Sequence, residues 1–188
     1  MNPLANRISP EAYLEYERAS DVKHEFHDGE MFAMAGASRK HVMIVTNAVV
    51  VLGGQLRGKP CTVFSTDLRV RVDATGLFTY PDVVVGCDDL KFADDHEDTL
   101  LNPTVIIEVL SKSTEDYDRG TKFKHYRTIA QLQEYVLIAQ DELRIEHYRR
   151  QPEGRWLLTT FQAIDDVVLL DFINCTLPLA EVYEKVEG

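Results

Sequence analysis

The chain has 188 residues, 45% of them apolar and 27% charged, with a formal net charge of −11. Such a chain suits one globular domain over 1–188 with a buried core. The acidic balance excludes a globally basic surface of the kind that binds nucleic acid indiscriminately, though not a local basic groove or a metal-filled cleft.

In chain order, Ser9-Pro10-Glu11 reads as an N-cap, a proline at the first helical position and an acid in the first turn of a short helix to about Arg18. Lys23 to Ala35 reads as a hairpin, because Asp28-Gly29 is a type I′ turn signal between His24–His27 and Glu30–Ala35. Gly36-Ala37-Ser38 leads into a helix from about Arg39 to Leu56, with His41, Val45, Ala48, Val49, Leu52 and Leu56 on one stripe. Cys61 to Val72 reads as extended. Ala74-Thr75-Gly76 turns the chain into a second strand, about Phe78 to Cys87, and Asp88 to Asp98 is an acidic, solvated loop. Thr104 to Leu110 is apolar on both faces, as a central strand would be. Ser111-Lys112-Ser113-Thr114 supplies cap candidates for a helix to about Ala130, and Glu134 to Ala139 is a fourth strand. Hairpin-like stretches at Leu143–Tyr148 and Trp156–Phe161 flank the turn Pro152-Glu153-Gly154. Val167–Leu170 would extend this sheet, and Leu179–Val186 is a terminal amphipathic helix.

This order gives an α/β fold: a mixed central β-sheet flanked by helices, with β-hairpins added at both ends. Cys61, Cys87 and Cys175 are odd in number, scattered and without a CxxC pair, so they read as reduced thiols rather than a disulfide frame or a zinc site. With no apolar leader at the N-terminus and no apolar run near ~18 residues, the expected setting is cytoplasmic and away from membranes.

The residues with most to explain lie between Tyr80 and Tyr126. Pro81-Asp82 taken alone is a turn at a strand's edge. Glu108 shares a face with Ile106 and Leu110, while Val105, Ile107 and Val109 take the other, so its carboxylate needs a partner or a cation. Asp118, Lys122 and Tyr126 follow at i, i+4 and i+8, one face of the next helix, and Lys124 points to solvent. Two carboxylates on strands and a lysine on a helix suit Mg²⁺ or Mn²⁺. Such ions take oxygen ligands, lower the pKa of a bound water and stabilise charge on a substrate phosphate. A salt bridge between Glu108 and a buried cation is the plain alternative.

These residues resemble the PD-(D/E)XK nuclease superfamily, with its restriction-endonuclease-like fold, and within it the Uma-two family. The likeness runs over almost the whole chain: Glu25-Phe26-His27-Asp28-Gly29-Glu30, Met34 to Ser38 with His41, Asp67-Leu68-Arg69-Val70, Tyr80-Pro81-Asp82-Val83, Asn102-Pro103, Glu108 to Ser111, the Asp118/Lys122/Tyr126 set and Leu177-Pro178-Leu179. The resemblance implies an endonuclease acting on DNA, with Asp82 and Glu108 as metal ligands, the backbone carbonyl of Val109 as a third, and a homodimer. The superfamily's lysine belongs two residues after the acid, where this chain has Leu110. The implied substitute is Lys122, with Lys112 as the second candidate. His41 reads as a satisfied histidine and Glu25 and Glu30 as hairpin-edge carboxylates. Asp67 reads as a neighbour of the site, and Arg69, Arg71, Arg149 and Arg150 as possible phosphate contacts. The rival readings are a nuclease-fold domain that only binds, with Glu108 paired to Lys122, and a metal-dependent hydrolase of a smaller phosphate.

Overall fold

The computed structural model describes residues 7–112 and 114–186. Its first helix, α1 (Pro10–Ala19), starts where the sequence predicts, with the Ser9 hydroxyl accepting from the Ala12 amide at 3.2 Å. The hairpin β1 (His24–His27) and β2 (Glu30–Ala33) follows. Asp28 and Gly29 both take positive φ, 51° and 83°, as a type I′ turn requires. Helix α2 (Arg39–Leu56) has the predicted bounds, is capped by Ser38, and buries Ile44, Val45, Ala48, Leu52 and Leu56.

The two long strands expected next are each broken in the middle. Cys61 to Val72 forms β3 (Cys61–Ser65) and β4 (Arg69–Val72). The return stretch forms β5 (Leu77–Thr79) and β6 (Val83–Cys87). The two halves of this ribbon belong to different sheets: β4 pairs with β5 in one, β3 with β6 in the other. The bend falls at Thr66-Asp67-Leu68 on one arm and Tyr80-Pro81-Asp82 on the other. Pro81 has no amide hydrogen to give a ladder, so a break there costs nothing in pairing. A five-residue strand, β3, and the four-residue β4 each read as extended locally, so sequence periodicity carried no sign of the bend.

After the acidic loop come the two-residue β7 (Thr99–Leu100) and the wholly buried β8 (Val105–Leu110). Helical turns follow as α3 (Glu115–Tyr117), a π-helical turn at Asp118–Lys122 and α4 (Phe123–Tyr126), shorter than the helix to Ala130 that was expected. The cap candidate Ser113 lies outside the described residues. Then come β9 (Glu134–Ala139), β10 (Ile145–Arg150), β11 (Trp156–Phe161), β12 (Val167–Leu170), β13 (Cys175–Pro178) and α5 (Leu179–Val182). Two expectations fail here. β12 pairs with β13 in a separate ribbon instead of extending the larger sheet, and α5 stops at Val182.

The six-stranded sheet runs β11-β10-β9-β8-β6-β3, mixed in direction because β8 and β9 are parallel across the intervening helical turns. The five-stranded sheet runs β2-β1-β5-β4-β7. One apolar core lies under α2 and the β12–β13 ribbon, on the Val105, Ile107 and Val109 face of β8. A second lies on the Ile106 and Leu110 face, closed by Val70 and Leu77 of the smaller sheet and by Tyr126 and Leu132. Glu108 projects into this second core.

The cysteine reading is corrected for two of the three residues. Cys61 and Cys87 stand directly opposite each other on β3 and β6 and form a disulfide, leaving Cys175 free and buried. Register, not sequence spacing, brings them together.

Candidate active site

Asp82 and Glu108 meet because β6 and β8 are antiparallel neighbours. The ladder ends with Val83 opposite Ile107, and the next position on each strand is Asp82 and Glu108. The Asp82 amide points at Glu108 Oε2 at 3.3 Å, and the Val109 amide donates to Asp82 Oδ2 at 2.8 Å. The other Asp82 oxygen, Oδ1, lies 2.9 Å from His41 Nε2 at the start of α2. Glu108 is only 3% exposed, while Asp82 stands at the rim.

Lys122 comes to this pair from the π-helical turn. Its ammonium is 2.9 Å from Glu108 Oε1, 3.2 Å from Glu25 Oε1 and 3.5 Å from Asp118 Oδ1. The Tyr126 hydroxyl donates to the same Glu108 oxygen at 2.8 Å, so the predicted i, i+4, i+8 face does converge on Glu108. Lys124 is exposed, as its angular position requires. The π turn widens the helix where Lys122 is presented; such turns recur at functional sites, and Gly120 within it is a weak helix former. Glu25 is the residue that sequence reasoning left at a hairpin edge. It arrives from β1 in the other sheet, accepts from Thr79 Oγ1, and takes the Tyr117 hydroxyl at 3.2 Å.

The electrostatics follow from burial. Three carboxylates (Glu25, Glu108 and Asp118) gather around one ammonium, with Asp82 beside Glu108. Burial, with Asp118 and Asp82 adding to it, pushes the Glu108 carboxyl up to about 8 against the opposing pull of Lys122. Asp118 is also raised, first by burial and with Lys122 opposing. For Lys122 burial opposes the charge, yet Glu108, Glu25 and Asp118 together hold it protonated well beyond the usual lysine range. Burial thus favours the protonated carboxyls of Glu108 and Asp118, and a cation beside them favours the charged forms.

That donor set fits a hard divalent ion. Asp82 and Glu108 offer oxygens from adjacent strands, and oxygen-only sites of one or two carboxylates are what Mg²⁺ takes, with water and substrate completing the shell. Among the described residues no three His, Cys, Asp or Glu side chains form a ready cage for a metal ion.

Other expectations resolve differently. Lys112 is exposed two residues past β8 and outside the cluster. Asp67 is exposed and pairs with Lys23, and Glu30 is exposed on β2, so neither joins the site. The proposed phosphate-contacting arginines are engaged within the protein. Arg69 is buried against Asp98, Tyr80 and Thr99, and Arg71 pairs with Asp73. Arg149 pairs with Asp171, and Arg150 donates to the carbonyls of Arg127, Ile129 and Leu132. The acidic loop is not merely solvated, since Asp94 and Asp98 clasp Arg18 of α1.

The mixed sheet flanked by helical segments is a restriction-endonuclease-like fold. In agreement, the fold matches the crystal structure of a "putative nuclease belonging to DUF820" from Anabaena variabilis, with a TM-score of 0.71 over 89% of this chain and 93% of that one, at 19% identity. The chain belongs to the Uma2 family, described as "Putative restriction endonuclease", whose model matches residues 10–180. Two proteins of Synechocystis sp. are also similar along most of their length. Uncharacterized protein slr1290 is 36% identical over 165 residues, 87% of this chain and 85% of that protein. Uncharacterized protein sll1609 is 38% identical over 162 residues, 86% and 92% respectively. Family membership supports a nuclease-like function. Among the described residues no helix is long and apolar enough to cross a membrane.

Proposed function

We propose that the protein is an endonuclease that hydrolyses DNA phosphodiester bonds with a divalent cation, Mg²⁺ or Mn²⁺. Asp82 and Glu108, with the Val109 carbonyl, would hold the cation. The observation that carries this reading is the register of β6 and β8, which sets the two carboxylates side by side within reach of Lys122. Bound there, the cation supplies a water of lowered pKa and charge stabilisation for the phosphate.

The chain's own groups have defined parts. His41 and the Val109 amide fix both Asp82 oxygens, so that carboxylate has one orientation. Tyr126 and Lys122 do the same for Glu108 Oε1 and leave Oε2 facing Asp82. Lys122 is held charged by three carboxylates. It is placed to orient the attacking water and to offset negative charge that develops on the phosphate. DNA as the substrate is supported by the family.

One observation favours a second reading, a nuclease-fold domain that only binds. Lys122 already neutralises Glu108 in part without any metal. Calorimetric titration of Mn²⁺ into the wild type, Asp82→Ala and Glu108→Ala proteins separates the two, alongside cleavage of plasmid and linear DNA. Saturable binding and cleavage, both lost in either variant, are the expected results. Cleavage that persists in Glu108→Ala overturns the metal-site reading. Neither binding nor cleavage in the wild type leaves the binding domain as the function.

A further inference from the structure

Three of the six histidines have a ring nitrogen within 3.3 Å of a carboxylate oxygen: His24 with Glu17, His41 with Asp82 and His147 with Glu134. His96 is exposed. The other two, His27 at the end of β1 and His125 in α4, face each other instead. Their ring centroids are 4.8 Å apart and their planes stand at 72°. An imidazole beside a carboxylate gains an opposite charge when it takes up a proton, whereas an imidazole beside another imidazole gains a like one.

This pair joins the smaller sheet to the helical segment between β8 and β9. His27 and Glu25 share a face of β1, with buried Phe26 on the other, and Lys122 precedes His125 by one helical turn. Glu25–Lys122 and His27–His125 are thus two adjacent rungs of one junction. The surroundings offer the two rings little to share a charge with. Glu25 is committed to Lys122, Thr79 and Tyr117. Glu30, opposite His27 on β2, is exposed, and Asp28 beside His27 pairs with Arg7. Lys124 and Arg127, in the chain next to His125, are exposed and positive. His125 Nδ1 is buried and has no hydrogen-bond partner among the described residues. A protonated ring carries a hydrogen on both nitrogens and would strand a donor there. Partial burial, with His27 adding to it and Glu25 opposing, holds His125 below the ordinary histidine value.

We propose that His27 and His125 form an acid-sensitive latch between the β1–β2 hairpin and the helical segment that carries Lys122. Neutral, the rings pack edge to face and hold hairpin to segment. Charged, they repel and the contact opens, which leaves the Glu25–Lys122 pair to hold that junction. The latch depends neither on nuclease activity nor on a bound cation.

NMR of the histidine rings in the full chain between about pH 8 and pH 5, spanning the ordinary histidine value of about 6.5, tests it together with urea denaturation at both ends of that range. His125 should titrate below the ordinary value and move back up in His27→Gln, and nuclear Overhauser contacts between the two rings should vanish at the acid end. The folded state binds this proton less readily than the unfolded chain. Its stabilisation is therefore present in full above the unfolded value and is lost as pH falls from there through the folded one. The wild-type urea midpoint should drop on acidification, and drop clearly less in His125→Phe, which keeps an aromatic ring in the contact but takes up no proton. His96→Phe, at an exposed position, is the control and should respond as the wild type does. A His125 that titrates at or above the ordinary value overturns the proposal, as do ring contacts that persist at the acid end. A midpoint drop as large in His125→Phe as in the wild type overturns it too, by placing the acid response elsewhere in the fold.

Discussion

At the scale of single residues, the cluster around Lys122 is an exchange of one buried charge for another. Lys122→Ala removes the ammonium that pairs with Glu25, Glu108 and Asp118, and breaking a buried pair costs roughly 3 kcal/mol or more. In urea denaturation without divalent ions, the variant is expected to unfold at a clearly lower midpoint. Added Mn²⁺ should recover more of the loss than it adds to the wild type, because a cation meets the same demand. Lys112→Ala, at an exposed position, should leave both stability and turnover near wild type; a large loss of turnover there would move the catalytic lysine to Lys112. His41 belongs with the site on geometry alone, through its 2.9 Å contact to Asp82. His41→Ala frees one Asp82 oxygen, and losing such an orienting partner lowers metal affinity by about 10- to 100-fold. Calorimetry of that variant, with Asp82→Ala as the reference for complete loss, checks it.

At the scale of elements, α1 and the acidic loop are held to the smaller sheet by Asp98. Arg18 and, against the opposing effect of partial burial, Arg69 keep its carboxyl well below the ordinary value of 3.8. The sign of the pH effect follows. The folded state binds this proton less readily than the unfolded chain, so the stabilisation is complete above the unfolded pKa and is lost as pH falls below it. Between pH 5 and pH 3 the wild type should therefore lose more stability than Asp98→Asn, whose urea midpoint should respond less to acid. Equal slopes would mean that the clasp contributes nothing to acid sensitivity. The π-helical turn is the other element with a consequence for the site. A register argument assuming regular helix already put Asp118, Lys122 and Tyr126 on one side, and the widened turn kept them there.

For the whole molecule, the Cys61–Cys87 disulfide closes the ribbon that carries Asp82 at its bend, across a sequence separation of 26. Closing a loop of that size restricts the unfolded chain and stabilises by about 2–4 kcal/mol. The oxidised protein should therefore melt above both its dithiothreitol-treated form and the Cys61→Ser, Cys87→Ser double variant. The β3–β6 ladder should hold the fold together in all three. Identical melting curves would show that the ladder alone sets the stability of this edge.

Several local elements and part of the site were legible in the residues themselves. Ser9-Pro10, Asp28-Gly29 and the stripe of α2 placed their elements because capping, turn and helix periodicity are short-range physics. Period-2 alternation put Glu108 on the Ile106 and Leu110 face, and a period near four put Lys122 and Tyr126 toward it. Tertiary structure alone decided what arrives from far away in the chain. Glu25 reaches Lys122 because β1 pairs with β5 in the second sheet, and Cys61 meets Cys87 because β3 and β6 share a register. It also decided that the ribbon bends between two sheets, which turns the Tyr80-Pro81-Asp82 break into the rim of the cluster. Pairing between distant strands is set by burial and register over the whole fold, and neither leaves a periodic trace in the local sequence.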